Sequence, residues 1–293
     1  VKNPCNSIAL LDQLTAINRE DLLAALGLSS VRRGRRILEQ LCQPPARRLA
    51  RQILTYDALV ASAGLQVAAA WALGQFVRNI AVEGQHFVPR SGPLLIVSNH
   101  PGLYDTIALF SAIPRGDLQI VAADRPFLRA LANTSRYLIT VTDAATDRVA
   151  AIRSAARHLR ARGALLTFPG GRIEPDPAVL PGAVAALDAW SASISVFVRL
   201  VADLTIVPVV VSGVLSSAAL RHPLAYLRGR QHHQLLAATL QVVFPSLQRG
   251  GVRVAFGRPI TAGADRDGDA AAVSAAILAE CRRLMDGHGE AAR

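Results

Sequence analysis

Residues 93–105 read PLLIVSNHPGLYD. The run Leu94–Val97 is continuously apolar and ends in Ser98 and Asn99, which predicts a short strand buried on both faces over 93–99. His100 follows at the carboxyl end of that strand, where open α/β sheets place their active sites. Asp105 comes five residues after His100, in the first turn of a predicted helix. A strand–loop–helix turn can bring the two side chains together. Asp105 then accepts a hydrogen bond from one imidazole nitrogen and leaves the other as an acceptor near neutral pH. Taken alone, the spacing reads first as a satisfied or capping histidine, because a chain with seven histidines gives it many chances to arise.

Working outward, the same short apolar form recurs in LQIVAAD (118–124), YLITV (137–141), ALLTFP (164–169), LTIVPVVVSG (204–213) and VRVAFG (252–257). Between them, Asp147–Arg162 is an amphipathic helix with Gly163 as its stop, and Ala270–Met285 reads as a closing helix. Strands separated by helices predict an α/β fold, with a mostly parallel sheet flanked by helices. Pro208 cannot donate in a ladder, so it predicts a strand edge or a bulge near the site.

Upstream, residues 1–50 read as helical and basic, with apolar residues at helical spacing in Asp21–Leu26 and Ile37–Leu41 and arginines at 32, 33, 35, 36, 47, 48 and 51. Pro44 and Pro45 predict a break, with Pro45 in the first turn of a new helix. Ala58–Val77 is uncharged and of about spanning length, since roughly 20 residues cross a bilayer. Ser62, Gly64, Gln66, Gly74 and Gln75 dilute it, which favours a helix packed on the protein or lying in the membrane interface. The expected organisation is a helical, membrane-docking region over 1–80 and an α/β domain over 81–293.

Composition narrows the partners. The 293 residues are 51% hydrophobic and 18% charged, which excludes intrinsic disorder. The net charge of +11 is almost all arginine, since Lys2 is the only lysine. Arginine binds phosphate and carboxylate through a planar fork. Anionic lipid, a phosphorylated small molecule and nucleic acid all suit such a charge. Aromatic residues are only 5% and VRRGRR (31–36) lies in no recognition fold, so no nucleic-acid partner is expected. Cys5, Cys42 and Cys281 form no CxxC or Cys/His cluster, so a reducing compartment and no metal are expected. The N-terminal VKNPCNSIALLDQ lacks the apolar core of a secretory signal. GxGxxG, P-loop and GxSxG motifs are absent from the sequence.

The second informative turn is FPGGRIEPDP (168–177), 68 residues after His100 and again at the end of an apolar strand. Gly170 and Gly171 permit a tight turn and close approach to a ligand. Arg172 at its rim suits a phosphate. The plain alternative is a strand-ending turn.

In this order and spacing the segments resemble the glycerolipid acyltransferase superfamily, of the lysophosphatidic acid acyltransferase type, over about residues 85–262. His100 and Asp105 match its HxxxxD motif. Phe168, Pro169 and Gly171 match its FPEG motif, while IVPVVVSG and VRVAFGRPI match later strands. The resemblance implies that His100 takes the proton of an acceptor hydroxyl, with Asp105 orienting it. That oxygen attacks a thioester on coenzyme A or acyl carrier protein, used as co-substrate, with no cofactor and no metal. It places the glycine turn, Phe168, Pro169, Gly170 and Gly171, at the substrate, with Arg172 and Arg148 as the candidate phosphate ligands nearby, and implies a lysophospholipid-like acceptor. The basic helical region over 1–80, by its composition, leads to an expected location on the cytoplasmic face of a membrane, peripheral rather than transmembrane.

This chain departs from the pattern. The motif glutamate is Gly170, the threonine is Arg172 and the phosphate-binding arginine is Ile173. In TVTDAATDR (140–148), Asp143 precedes an alanine, and the Asp147–Arg148 pair comes only four residues later. Either Arg172 and Arg148 substitute from neighbouring positions, or the acceptor is another lipid, a glycolipid or another alcohol. The rival reading is a non-catalytic lipid- or acyl-carrier-binding protein that retains the fold.

Overall fold

The computed structural model describes residues 4–142, 144–191, 193–248, 250–261 and 269–287. Two compact units make up the chain. One takes in Asn79–Asp124, Arg136–Val214 and Gly251–Arg293; the other takes in Val1–Arg78, Arg125–Ser135 and Leu215–Gly250.

Leu94, Leu95, Ile96 and Val97 are fully buried, which explains their lack of alternation: a strand covered on both faces has no polar side. This strand, β2 (Leu94–Ser98), lies inside an eight-stranded sheet. The others are β1 (Asn79–Glu83), β3 (Leu118–Ala123), β4 (Leu138–Val141), β5 (Ala164–Thr167), β6 (Thr205–Ser212), β7 (Gly251–Phe256) and β8 (Ile260–Thr261). Their order is β1-β7-β6-β2-β5-β3-β4, with β8 also paired to β6. Every pairing is parallel except β6 with β7 and with β8. The six expected strands are present. β1, exposed along its whole length at the sheet edge, and the two-residue β8 escaped the sequence reading.

Pro208 lies in an interior strand, contrary to expectation. β6 pairs with β7 over Val209–Ser212 and with β8 over Thr205–Ile206, so the ladder changes partner at the proline. Its carbonyl still accepts from the Gly257 N–H at 2.8 Å. The missing donor therefore falls where no strand requires it.

In chain order the longer helices are α1 (Pro4–Ala25), α2 (Arg35–Ala63), α3 (Leu65–Leu73), α4 (Asp105–Ala112), α5 (Ala145–Arg160), α6 (Ser193–Leu200), α7 (His233–Val243) and α8 (Asp269–Asp286). Leu95, Val97, Leu165, Ile206 and Val210 share one core with Ala155 and Leu159 of α5, Phe197 of α6 and Ile277 of α8. Burying each larger side chain contributes about 1.5–3 kcal/mol. The α4 helix packs on β6 and β7. Asn99 then fixes the end of β2: its amide donates to the Val211 carbonyl at 2.9 Å and accepts from the Val211 N–H at 2.8 Å. That pair of hydrogen bonds ties the start of the next loop to β6.

In the helical unit, Leu22 and Leu23 of α1 pack with Cys42 and Ala46 of α2 and with Val242 and Val243 of α7. The expected break at Pro44 and Pro45 does not occur, and α2 runs through both. The carbonyls that lose their partners belong to Gln40 and Leu41, both exposed, so water can satisfy them. Gly64, with φ of 87°, instead divides the uncharged stretch into the end of α2 and the short α3. Val60, Leu65, Ala68, Ala69 and Leu73 are buried there, as in a helix packed on the protein. Among the described residues, no single helix is long and apolar enough to cross a membrane. Asp57, buried at the α2 end of this unit, accepts from the N–H groups of Asn133 and Thr134 and from both their side chains. That carboxylate anchors the Arg125–Ser135 segment.

Candidate active site

Between β2 and α4 the chain must turn within Pro101–Tyr104. It does so through two successive left-handed residues, Gly102 (φ 85°) and Leu103 (φ 58°). A non-glycine residue in that region carries strain of about 1–3 kcal/mol, which surrounding contacts must hold. The Asp105 carboxylate supplies them. Its Oδ2 accepts from the Gly102 N–H at 2.7 Å and lies 2.8 Å from His100 Nδ1. Its Oδ1 accepts from the Thr106 N–H and from the Thr106 hydroxyl. Asp105 is 1% exposed, at the first turn of α4, where the helix N-terminus favours negative charge.

This arrangement orients His100. With Nδ1–H donating to Asp105, Nε2 is left as the acceptor. The imidazole is only partly covered, and the Phe168 ring stacks on it at a centroid distance of 4.3 Å and an angle of 19°. Burial acts to lower the His100 pKa. The hydrogen bond to Asp105 and the charges of Asp105 and Glu174 outweigh it, so the group is held above its ordinary value.

Phe168 belongs to the glycine turn, which the structure brings to His100. The Gly171 N–H closes the turn on the Phe168 carbonyl at 3.1 Å, with φ of 62° at Gly171. Pro169 accepts from the Ser191 N–H at 3.0 Å. Beyond the turn, the Glu174 N–H donates to the His100 carbonyl at 2.8 Å, and Glu174 Oε2 accepts from the His100 N–H at 2.8 Å. Glu174 Oε1 accepts from Trp190 Nε1 at 2.6 Å. Burial raises the Glu174 carboxyl, against the lowering effects of both donors and of the His100 and Arg172 charges. Ile173 packs on Gly102 while remaining 53% exposed.

Of the residues expected at the site, His100, Asp105, Phe168, Pro169, Gly170 and Gly171 form one cluster. Arg172 is exposed beside it, close enough for its charge to act on Glu174. Arg148 lies exposed in α5, and none of these contacts reaches it. Its neighbour Asp147 is bound by the Thr142 hydroxyl, and Asp143 lies outside the described residues. Sequence reasoning missed Glu174, Trp190 and Asn99. Glu174 stood within the quoted glycine-turn stretch, but nothing local marks it as a partner of His100.

His232 Nδ1 lies 3.1 Å from the Arg228 carbonyl, and His233 Nε2 lies 2.8 Å from that of Leu220. Among the described residues, no group of three or more His, Cys, Asp or Glu side chains could hold a metal. Burial pushes the Cys281 thiol far up, which disfavours the nucleophilic thiolate.

Residues 79–212, which carry the His100–Asp105 pair and the glycine turn, match the acyltransferase family model. Among solved structures, the chain is similar to the 1-acyl-sn-glycerophosphate (LPA) acyltransferase, PlsC, of Thermotoga maritima. The identity is 17%, covering 96% of this chain and 97% of that one, with a TM-score of 0.43. No curated protein matches the chain.

Proposed function

We propose that this protein transfers an acyl chain from a thioester, on coenzyme A or acyl carrier protein, to a hydroxyl of a lysophospholipid-like acceptor. The observation that carries the reading is the 2.8 Å contact between His100 Nδ1 and Asp105, which leaves Nε2 free to take a proton. Nε2 removes the proton of the acceptor hydroxyl as that oxygen forms a bond to the thioester carbonyl carbon. The tetrahedral intermediate then collapses. The carbon–sulfur bond breaks, and the imidazolium returns the proton to the departing thiolate. Asp105 stabilises the imidazolium throughout. Backbone amides at the glycine turn are suited to the oxyanion. No covalent enzyme intermediate is required.

Arg172 is the arginine whose position supports a role in holding an acceptor phosphate. Arg148 joins the proposal only through its place in the sequence. Membrane docking rests on the helical unit, where Arg32, Arg33 and Arg36 are exposed with Ile37 and Leu41. Arginine beside exposed apolar residues suits an anionic lipid surface, so a peripheral location on the cytoplasmic face is proposed.

The test is thiol release from a panel of acyl-CoA thioesters and from acyl carrier protein thioesters, with lysophosphatidate, other lysolipids or no acceptor. Release that depends on a lysolipid is expected. Thioester binding with no transfer to any acceptor would establish the binding-protein alternative instead.

A further inference from the structure

The Glu174 side chain is 3% exposed; burial opposes its ionisation, while N–H donors at both oxygens favour it. One of those donors is the backbone of His100, and the Glu174 backbone returns a bond to the His100 carbonyl. A buried carboxylate is costly unless it is well paired, so its placement against the residue that bears the reacting nitrogen calls for a role. The space it occupies is also specific. A Cβ at Gly170 would meet Glu174 Oε1, so with a side chain at residue 170 the carboxylate would have to shift from this place. Position 170 is where the resembling motif carries its glutamate.

We propose that Glu174 is a positioning residue for acyl transfer, whose carboxylate reaches the site from four residues beyond Gly170, holds the His100 backbone and places a second negative charge beside the imidazole. The inference rests on the reading of His100 as the base. Trp190 fixes the far oxygen of Glu174, so the carboxylate is held in one orientation. His100 faces Asp105 from α4 and Glu174 from the glycine-turn loop. Glu174 is acted on by Arg172 of its own loop, and its charge helps raise the Cys281 thiol of α8. Asp105 thus governs the tautomer through Nδ1, while Glu174 governs where the backbone presents the ring and how strongly it holds a proton.

The test uses the full chain and two readouts that separate this proposal from the acyl-transfer reading. The His100 ring is titrated by NMR with labelled histidine, the signal being assigned by its loss in His100→Gln. Steady-state kinetics are measured with an acyl-CoA and a lysolipid. In Glu174→Gln the His100 midpoint is expected to fall by up to about one pH unit. Over the same change kcat drops roughly tenfold, with KM within about twofold. Glu174→Asp should recover part of both. If the Gln variant does not fold, the exchange Gly170→Glu with Glu174→Gly returns a carboxylate from the other position and should restore a wild-type midpoint. An unchanged His100 midpoint in a folded Glu174→Gln protein overturns the proposal. A lowered midpoint in proteins that never transfer acyl groups upholds the positioning role and overturns the acyl-transfer reading.

Discussion

Ile173 lies directly over Gly102: a Cβ added at Gly102 would meet Ile173 Cδ1 at 2.8 Å. Position 173 therefore abuts the loop that joins His100 to Asp105, and it presents a half-exposed apolar side chain where the resembling motif carries an arginine. The surroundings of His100, where the proposed acceptor would bind, are correspondingly less cationic. Replacing Ile173 with Arg should favour phosphorylated acceptors. The ratio of kcat/KM for lysophosphatidate to that for an unphosphorylated monoacylglycerol is expected to rise about tenfold, as one added charge-assisted hydrogen bond would give. An unchanged ratio would show that residue 173 does not face the acceptor.

Gly102 itself tolerates little change. Its φ of 85° disfavours any L side chain, and Ile173 must also move aside for a Cβ. Gly102→Ala should lower unfolding free energy by about 1–2 kcal/mol in denaturant titrations. It should also lower kcat, because the Gly102 N–H helps fix Asp105 Oδ2. A variant with wild-type stability and rate would mean that the turn is not under this constraint.

Asp105→Asn preserves the shape of the pair while removing its charge. An amide NH₂ facing Nδ1 reverses the tautomer and puts the proton on Nε2, where the base must accept one. A fall in kcat of roughly a thousandfold or more is expected, measured with the same thioester and acceptor. A loss below about tenfold would indicate that Asp105 is chiefly a structural cap.

Activity should also depend on pH in a definite direction. Only the neutral imidazole has a free Nε2, and the His100 pKa is held above its ordinary value of about 6.5. The acid limb of kcat/KM is therefore expected to have its midpoint above about 6.5. The same shift bears on stability with the opposite preference. A raised folded-state value stabilises the fold fully below the unfolded value, and this contribution is lost as pH rises through the folded one. His100→Gln should thus lower Tm more at pH 6 than at pH 9, and an equal effect at both would contradict the assignment.

The elements legible in the sequence are those whose burial is uniform or strongly periodic. β2 and β6 are covered on both faces and read as unbroken apolar runs, while α5 shows one apolar side and one arginine side. β1 was not legible because all its residues are exposed and its place comes from pairing with β7. Tandem proline at 44–45 read as a break because local sequence does not reveal that water can reach the orphaned carbonyls. At the site, the His100–Asp105 pair was visible as a five-residue spacing. Glu174 meets His100 across 74 residues, and Asn99 meets Val211 across 112, distances at which no local pattern survives. The glycine turn stood out by its composition, whereas its partner Trp190 did not.

The most direct test of the account is acyl transfer by His100→Ala, with circular dichroism and thermal unfolding confirming that the variant is folded. The account predicts that acceptor-dependent thiol release, present in the unaltered protein, falls to background while the far-ultraviolet spectrum is unchanged. Full transfer by a folded His100→Ala protein would contradict the role of His100 as the base.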